Sequence, residues 1–270
     1  MSESPSHPAA ERASDSDRPT PWRRALGGLW RLTWKSQLTL RPLARTAAFL
    51  LVVPILAHLT FRADQLEPYY RWTTDFYLLL LVPLFCLYGC GGLVRDDLQG
   101  HTLPFLLTRP VGRARFYLAK LACQLAWIQM LLGIEWLFLL TVGLWHRAPD
   151  AAAMSILLLG VQVLAVLAYG TLSALFGLLH SRYLVLGLLY GFIVEVGVAR
   201  IPTNINSFSL SHHLQTLLAR HPPLAELHDW TTEDTWLAVL VLTLAPVFLA
   251  GLGALIFTVK EYLPSEEMQR

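Results

Sequence analysis

The polar residues with the most informative spacing lie in residues 95–120, a short connection between two long apolar stretches. Asp96 and Asp97 follow the first stretch, and Gly100 can end its helix because glycine adopts positive φ at little cost. Thr102 can then cap a new short helix. The rest of that helix and its exit are formed by Leu103, Leu106, Leu107, Arg109, Pro110 and Arg113. Its leucines are too few to span a membrane, so the pattern predicts a helix that docks on a protein surface. An ordinary loop with its leucines under the bundle is the alternative.

Two carboxyl groups fall inside apolar stretches, where an ionisable side chain costs roughly 2.5–3.5 kcal/mol and is therefore a functional candidate. Glu135 has no obvious partner in the sequence, so it is paired with another helix, protonated by burial, or exposed to a hydrophilic cavity. Glu195 has a possible partner in Arg200, and an interfacial charge is the alternative. Both glutamates are therefore candidate functional residues, which in a transporter would line the translocation path.

The cysteine and histidine patterns do not predict metal or redox chemistry. Cys86, Cys90 and Cys123 lie in apolar stretches without a C-x-x-C pair, so they are interpreted as small packing residues. The four histidines of residues 200–234 have no i, i+4 pair, so no metal site is predicted there. The chain also contains no G-x-x-x-x-G-K-[ST] phosphate loop, so we expect that it does not hydrolyse ATP by itself.

The composition predicts an all-α, polytopic membrane protein. Of 270 residues, 54% are hydrophobic and 15% are charged, and the mean hydropathy is +0.47. A helix needs roughly 20 residues to cross a ~30 Å hydrocarbon core. Six apolar stretches qualify as transmembrane helices, at 44–61, 73–94, 116–144, 151–179, 183–198 and 236–259. The fifth is noticeably short.

The remaining segments complete the predicted organisation of the chain. Residues 1–21 are polar and rich in Ser and Pro, which is typical of a disordered tail, and residues 261–270 form a second tail. Residues 22–260 form the membrane domain between them. Its first part, 22–41, carries a Trp-bearing apolar stripe backed by bases, which is typical of a helix lying in the headgroup layer. A simple membrane anchor is the alternative.

Most of the 21 Lys and Arg residues fall in the two tails, in residues 22–45 and in the 95–120 connection. Because cytosolic loops are enriched in these residues, both termini and this connection are predicted to face the cytosol. Residues 200–234 then lie outside, where Pro222 and Pro223 should separate two short helices. The net charge of +2 reflects this topology and does not indicate a nucleic-acid partner.

The ordered pattern of the 95–120 connection is similar to the loop after the second span in permeases of ABC type-2 transporters. The matching residues are Asp96, Asp97, Gly100, Thr102, Leu103, Leu106, Leu107, Pro110, Val111, Arg113 and Lys120. The family usually has Glu at the position of Asp97 and often a serine or alanine near Thr108, so the match is close but incomplete. With the six spans and the 22–41 helix, the resemblance covers nearly the whole chain after residue 21.

The resemblance implies a set of structural elements and partners. Such a permease has an elbow helix before its first span, here 22–41, and a cytosolic coupling helix, here within 95–120, that contacts the ATPase. Its external segment, here 200–234, forms short re-entrant helices. It lies in the cytoplasmic membrane and pairs there with a second permease copy or homologue. It also binds separate ATPase subunits, which hold ATP and Mg²⁺. Its subunit interface uses spans one and five, which makes Gly187 and Gly191 candidate interface residues.

Two other function classes fit the sequence less well. An intramembrane enzyme would need clustered catalytic groups near one membrane interface, and the acidic pair Asp96 and Asp97 has no second motif beside it. A secondary transporter would be expected to have related halves, and the first three spans do not resemble the last three. The mostly apolar bundle favours export of an amphipathic or lipid-linked compound over import of a polar solute.

Overall fold

The computed structural model describes residues 27, 28, 30, 31, 33–35, 51, 53–59, 66–95, 97, 112–147, 150–197, 204–230 and 234–260, and their regular structure is entirely helical. The helices are α1 (Leu66–Arg71), α2 (Val82–Gly91), α3 (Arg113–Trp145), α4 (Ala151–Leu179), α5 (Tyr183–Tyr190), α6 (Leu210–Leu218), α7 (Pro222–His228) and α8 (Thr235–Val259). A π-helical stretch, Trp72–Leu81, joins α1 to α2, and a second, Gly191–Gly197, continues α5. A short 3-10 helix, Asn204–Phe208, precedes α6.

Four of the predicted spans are helices long and apolar enough to cross a membrane: Glu67–Gly91, Arg113–Trp145, Ala151–Leu179 and Thr235–Val259. The fifth, Tyr183–Gly197, is also an apolar helix but is shorter. At ~1.5 Å per residue it covers roughly 22 Å, less than a ~30 Å hydrocarbon core. The second span starts before the predicted residue 73 because Glu67 and Arg71 pair one turn apart, with 2.9 Å between Oε1 and Nε, and extend the helix beyond its apolar part.

The predicted elbow helix and first span are described only in part. Residues 27, 28, 30, 31 and 33–35 are helical, as are 51 and 53–59, and the ends of both elements lie outside the described residues. In the elbow segment, Trp34 packs edge-on against Trp127 of α3, with 5.2 Å between ring centroids. A count of six spans therefore stays a prediction.

The central helix of the described bundle is α4, which packs against α2, α3, α5, α6 and α8. Small residues allow these close approaches, because they let two helix backbones come together without intervening side chains. At Gly177 an added Cβ would collide with the carbonyl oxygen of Gly91 at the end of α2. At Gly170 it would collide with Leu125 of α3. The close approach of α4 to α2 therefore depends on glycine at position 177, whereas at position 170 only the flexible end of the Leu125 side chain would have to move.

Pro83 provides a local reason for the π-helical stretch that precedes it. Proline has no N–H and its ring crowds the carbonyl four residues earlier, so an α-helical bond pattern fails there. The next residue towards the N-terminus, Val82, donates its N–H to Tyr77 O, five residues back, which is the π pattern. The helix is therefore widened just before Pro83.

The outer surface of the described bundle is far more apolar than that of a water-soluble protein, although its core is apolar as well. Large apolar residues are exposed on the outer faces of the helices, such as Phe192 (74% exposed) and Phe248 (69%). Polar residues are buried inside, among them Glu135 and Gln162, both 0% exposed. This pattern is expected where the outer surface contacts acyl chains instead of water.

Candidate functional site

The two flanks of the 95–120 connection are joined by an ion pair. Lys120, eight residues into α3, pairs with Asp97, and the side chains are only 11% and 19% exposed. The same Lys120 Nζ donates a 2.6 Å hydrogen bond to the carbonyl oxygen of Leu93. The Lys120 side chain thus connects the start of α3 to the residues that follow α2. The 95–120 connection is held at both of its ends by this contact.

Two more basic side chains cover the C-terminal end of α4 at the same end of the bundle, here named the loop end. Arg95 Nε donates to the carbonyl oxygens of Gly177 and His180, both at 3.0 Å. Lys260, at the end of α8, donates to Leu178 O at 3.1 Å. The last carbonyls of a helix lack intrahelical donors and carry its negative partial charge, so cations are favourable there. The ends of α2, α3, α4 and α8 are therefore connected by lysine and arginine.

Glu135 lies in the interior of the bundle, and neither of its carboxyl oxygens has a hydrogen-bond partner among the described residues. One turn away, the Leu132 carbonyl oxygen is 2.8 Å from the hydroxyl of Tyr77. The same hydroxyl is 2.8 Å from the side-chain oxygen of Gln162 on α4. Three helices thus meet at a polar cluster beside Glu135. Full burial keeps this residue away from lipid, and an ionised carboxylate without a partner would cost several kcal/mol there.

Glu195 caps a helix of residues 204–230, which are named the outer segment after their predicted side of the membrane. Its Oε1 accepts from the Tyr190 hydroxyl (2.8 Å) and the Leu210 amide (3.2 Å). Its Oε2 accepts from the Ser209 hydroxyl (2.6 Å) and the Ser211 amide (2.8 Å). A carboxylate has about four lone-pair sites, so its accepting capacity is filled. Glu195 therefore fastens the end of the fifth-span helix to the start of α6.

The outer segment forms two helices separated where Pro222 and Pro223 were predicted to separate them. Ser209 caps the first of them, because its hydroxyl accepts from the amide of His212 at 3.4 Å. At the other end, His228 Nε2 is 3.2 Å from each carboxylate oxygen of Asp75. Among the residues described here, no group of three or more His, Cys, Asp and Glu side chains is arranged to hold a metal ion.

Comparison with protein families decides the class of this chain. Residues 41–202 match the family described as ABC-2 family transporter protein. The chain belongs to the ABC-2 transporter family. The matched region contains the predicted spans one to five together with the 95–120 connection. The chain has no significant match among curated proteins or among solved structures. Membership makes it a multi-pass membrane component of a transport system, whose general partner is an ABC ATPase.

Only part of the predicted coupling element of this ABC-2 protein falls in the described residues. Asp97 lies in the ion pair with Lys120, and Arg113 is the exposed first residue of α3. The others lie outside the described residues: Asp96, Gly100, Thr102, Leu103, Leu106, Leu107, Arg109 and Pro110. The coupling helix stays a prediction, and the structure gives the positions of its two flanks.

The two glycines of the fifth span differ in what they face. A Cβ at Gly187 would collide with Leu87 of α2, so this glycine serves packing within the chain. A Cβ at Gly191 would have no atom of the described chain within 4 Å. The face with Val185, Leu189 and Ile193 is more than half exposed. The Gly-x-x-x-Gly motif therefore does not present a uniform surface to a second copy.

Sequence reasoning missed the partners of Glu195, Lys120 and Arg95. The partners of Glu195 lie up to 16 residues along the chain. Two of its four donors are the Ser209 hydroxyl and the Ser211 amide, and neither residue has a distinctive spacing from Glu195. Arg95 binds carbonyl oxygens, which every residue has. The sequence carried a useful signal only for Lys120, because Lys120 and Asp97 both belong to the ordered pattern of the 95–120 connection.

Proposed function

We propose that this chain is the membrane-spanning subunit of an ATP-driven exporter and that a separate ATPase docks on the 95–120 connection. The observation that carries this proposal is the clamp at the loop end. Lys120 joins α3 to Asp97 and to the end of α2, and Arg95 joins the same region to α4. A displacement applied to the connection is thereby shared by three membrane-length helices. A loop without such connections would move alone.

The helices moved by this clamp also meet deeper in the bundle. Tyr77, Leu132 and Gln162 bring together the same three helices beside Glu135. Force applied at the loop end would therefore reach a polar cluster that is suited to change its contacts between two conformations. Glu135 is proposed to act there, either in the path or in coupling the helices, and Glu195 at the outer mouth.

The proposed assembly contains two permease copies, or this chain and a homologue, with two ATPase subunits that bind ATP and Mg²⁺. Because Gly187 packs within its own chain, the second copy is proposed to contact the face with Val185, Leu189 and Ile193, beside Gly191. The Lys and Arg distribution supports a cytoplasmic membrane location with both termini and the loop end in the cytosol. The mostly apolar bundle supports export of an amphipathic compound.

Co-purification of the ATPase tests the docking proposal. Replacing both Leu106 and Leu107 with Asp removes apolar contact area, and we expect the ATPase to be lost while insertion is retained. Leu179→Asp is the matched control, because Leu179 is a half-exposed leucine at the loop end but outside the connection. Wild-type recovery of the ATPase with the double variant would show that docking occurs elsewhere.

A further inference from the structure

Two histidines from different helices meet at the end of α3 that lies opposite the loop end. His58 belongs to the first predicted span, whose residues 53–59 are helical, and His146 follows the last residue of α3. His146 Nε2 lies 3.1 Å from His58 Nδ1. The ring centroids are 5.1 Å apart and the ring planes are inclined by 49°, so the rings are not stacked and meet through their nitrogen atoms.

Both histidines are held by regular structure that is fixed by packing. His146 donates its backbone N–H to Val142 O at 3.0 Å, which continues the hydrogen bonds of α3. On the first span, Val53 and Ala57 are buried in the hydrophobic core, and His58 is the next residue along that helix. The distance between the two rings is therefore set by two packed helices.

The separation of the two nitrogens is the one expected of two ligands of a single metal ion. Zinc binds imidazole nitrogen at roughly 2.0–2.1 Å in tetrahedral geometry, which places two such nitrogens roughly 3.3 Å apart. The observed 3.1 Å agrees with that separation. A hydrogen bond between two neutral rings has a similar length, so a metal ion and a proton are alternatives for the same pair of nitrogens.

The surroundings of the pair suit a hydrated cation. His58 is exposed and His146 is half-exposed, so water can supply the remaining ligands. The pair also lies at the C-terminal end of α3, where the last carbonyl oxygens lack intrahelical donors and carry a negative partial charge. Of the described residues between α3 and α4, the charged ones are Arg147 and Asp150, which are exposed and have opposite signs.

The ligand type determines which metal ions fit. Neutral imidazole suits Zn²⁺, Cu²⁺ and Ni²⁺, whereas Mg²⁺ and Ca²⁺ prefer oxygen ligands. Two protein ligands make a bridge between two helices and not a closed structural site with four ligands. This agrees with the finding that the described residues contain no group of three or more ligating side chains. An ion in such a bridge exchanges with the solution.

We propose that His58 and His146 bind one divalent transition-metal ion of the zinc class, through His58 Nδ1 and His146 Nε2. The ion takes the place of the proton between the two rings and joins the first span to α3. It stabilises the folded protein by mass action and holds these two helices at their present distance. The two residues are 88 positions apart, so no spacing in the sequence indicates the site. This inference does not depend on ATPase docking or on the direction of transport.

A zinc titration tests the proposal. The whole chain, purified without a polyhistidine tag and freed of metal with EDTA, is titrated with ZnCl₂ in detergent micelles at about pH 7.5, where imidazole is largely neutral. Bound zinc and the melting temperature are measured. We expect one zinc ion at this site, and zinc at tenfold its Kd should raise the ratio of folded to unfolded protein roughly 11-fold. MgCl₂ at the same concentration should have no effect.

Three alanine variants locate the bound ion. His58→Ala and His146→Ala should each weaken zinc binding at least roughly 10-fold, because losing even a residue that only orients a metal ligand costs about 10- to 100-fold. His180→Ala is the matched control, since His180 is an exposed histidine at the loop end, and it should bind zinc as the wild type does. Melting temperatures in EDTA verify that each variant is folded.

X-ray absorption of the wild-type zinc complex provides a test that needs no variant. We expect imidazole nitrogens at roughly 2.0–2.1 Å and oxygen in the remaining positions. Sulfur ligands would place the ion at the cysteines and contradict the proposal. A wild-type melting temperature that does not change with zinc would show that the pair is only a hydrogen bond. Unchanged zinc affinity in both His58→Ala and His146→Ala would assign the bound zinc to other histidines and likewise overturn the proposal.

Discussion

Removing the charge of Lys120 should separate ATP hydrolysis from transport, because this side chain is the main connection between α3 and the chain leaving α2. Lys120→Met keeps most of the aliphatic stem and removes the ammonium group. The variant loses both the pair with Asp97 and the hydrogen bond to the Leu93 carbonyl. We expect the ATPase to remain bound and active while transport falls.

The size of the effect follows from the low exposure of the pair. Exposed ion pairs contribute about 0–1 kcal/mol, whereas hydrogen bonds to charged groups contribute about 1.5–3 kcal/mol. At 11% and 19% exposure, the Lys120 and Asp97 side chains belong nearer to the second class. With the Leu93 carbonyl included, Lys120→Met should lower the free energy of unfolding by about 2–4 kcal/mol. Asp97→Asn, which keeps a hydrogen-bonding side chain, should lower it by about 1–2 kcal/mol.

A double-mutant cycle measures the connection directly. Unfolding free energies of the wild type, Lys120→Met, Asp97→Asn and the double variant are determined in mixed micelles, and we expect a coupling energy of about 1–2 kcal/mol. Arg113→Met is the control, since it removes an exposed base at the start of the same helix. A coupling energy below about 0.5 kcal/mol, with transport unchanged in Lys120→Met, would refute the clamp.

Three further predictions address the interior, the packing and the topology. Glu135→Gln should assemble normally but alter transport or substrate-stimulated ATP hydrolysis, whereas wild-type transport by both Glu135→Gln and Glu135→Leu would exclude a functional role. Gly177→Ala should destabilise the protein by about 1–3 kcal/mol and lower the melting temperature, because its Cβ collides with backbone. Gly160→Ala, at an open position of the same helix, should instead stabilise it by about 0.5–1 kcal/mol through helix propensity. A single cysteine at the exposed Glu226, on a Cys-free background, should react with an impermeant reagent from outside; reaction only from the cytosolic side would contradict the predicted orientation.

The sequence predicted most of the long helices because the membrane imposes a length and an apolarity that are readable one segment at a time. The helices α3, α4 and α8 begin and end within about three residues of the stretches predicted for them. Local chemistry also sufficed for the outer segment, where Pro222 begins α7 and separates it from α6. These features depend on residues that are neighbours along the chain.

The contacts of the site could not be predicted in the same way, because they join residues far apart in sequence. Tyr77 and Gln162 are 85 positions apart, and nothing in either local pattern specifies their pairing. The four donors to Glu195 depend on how the chain returns after the fifth span, and the sequence suggested Arg200 instead. The orientation of Gly187 towards Leu87 likewise follows from helix rotation, which the Gly-x-x-x-Gly spacing leaves open.

The π-helical stretch Trp72–Leu81 gives its helix an extra residue per hydrogen-bonded turn, and the helix can change its rotation there. Each hydrogen bond that spans five residues encloses one residue more than an α-helical turn does. Returning such a turn to α-helical bonding turns one half of the helix against the other by the angle of a single residue, about 100°. Tyr77 sits within this stretch, so the rotation would carry its hydroxyl away from Leu132 and Gln162. Such a change would rotate the part of the helix that precedes Trp72–Leu81 relative to α2, which packs against α4.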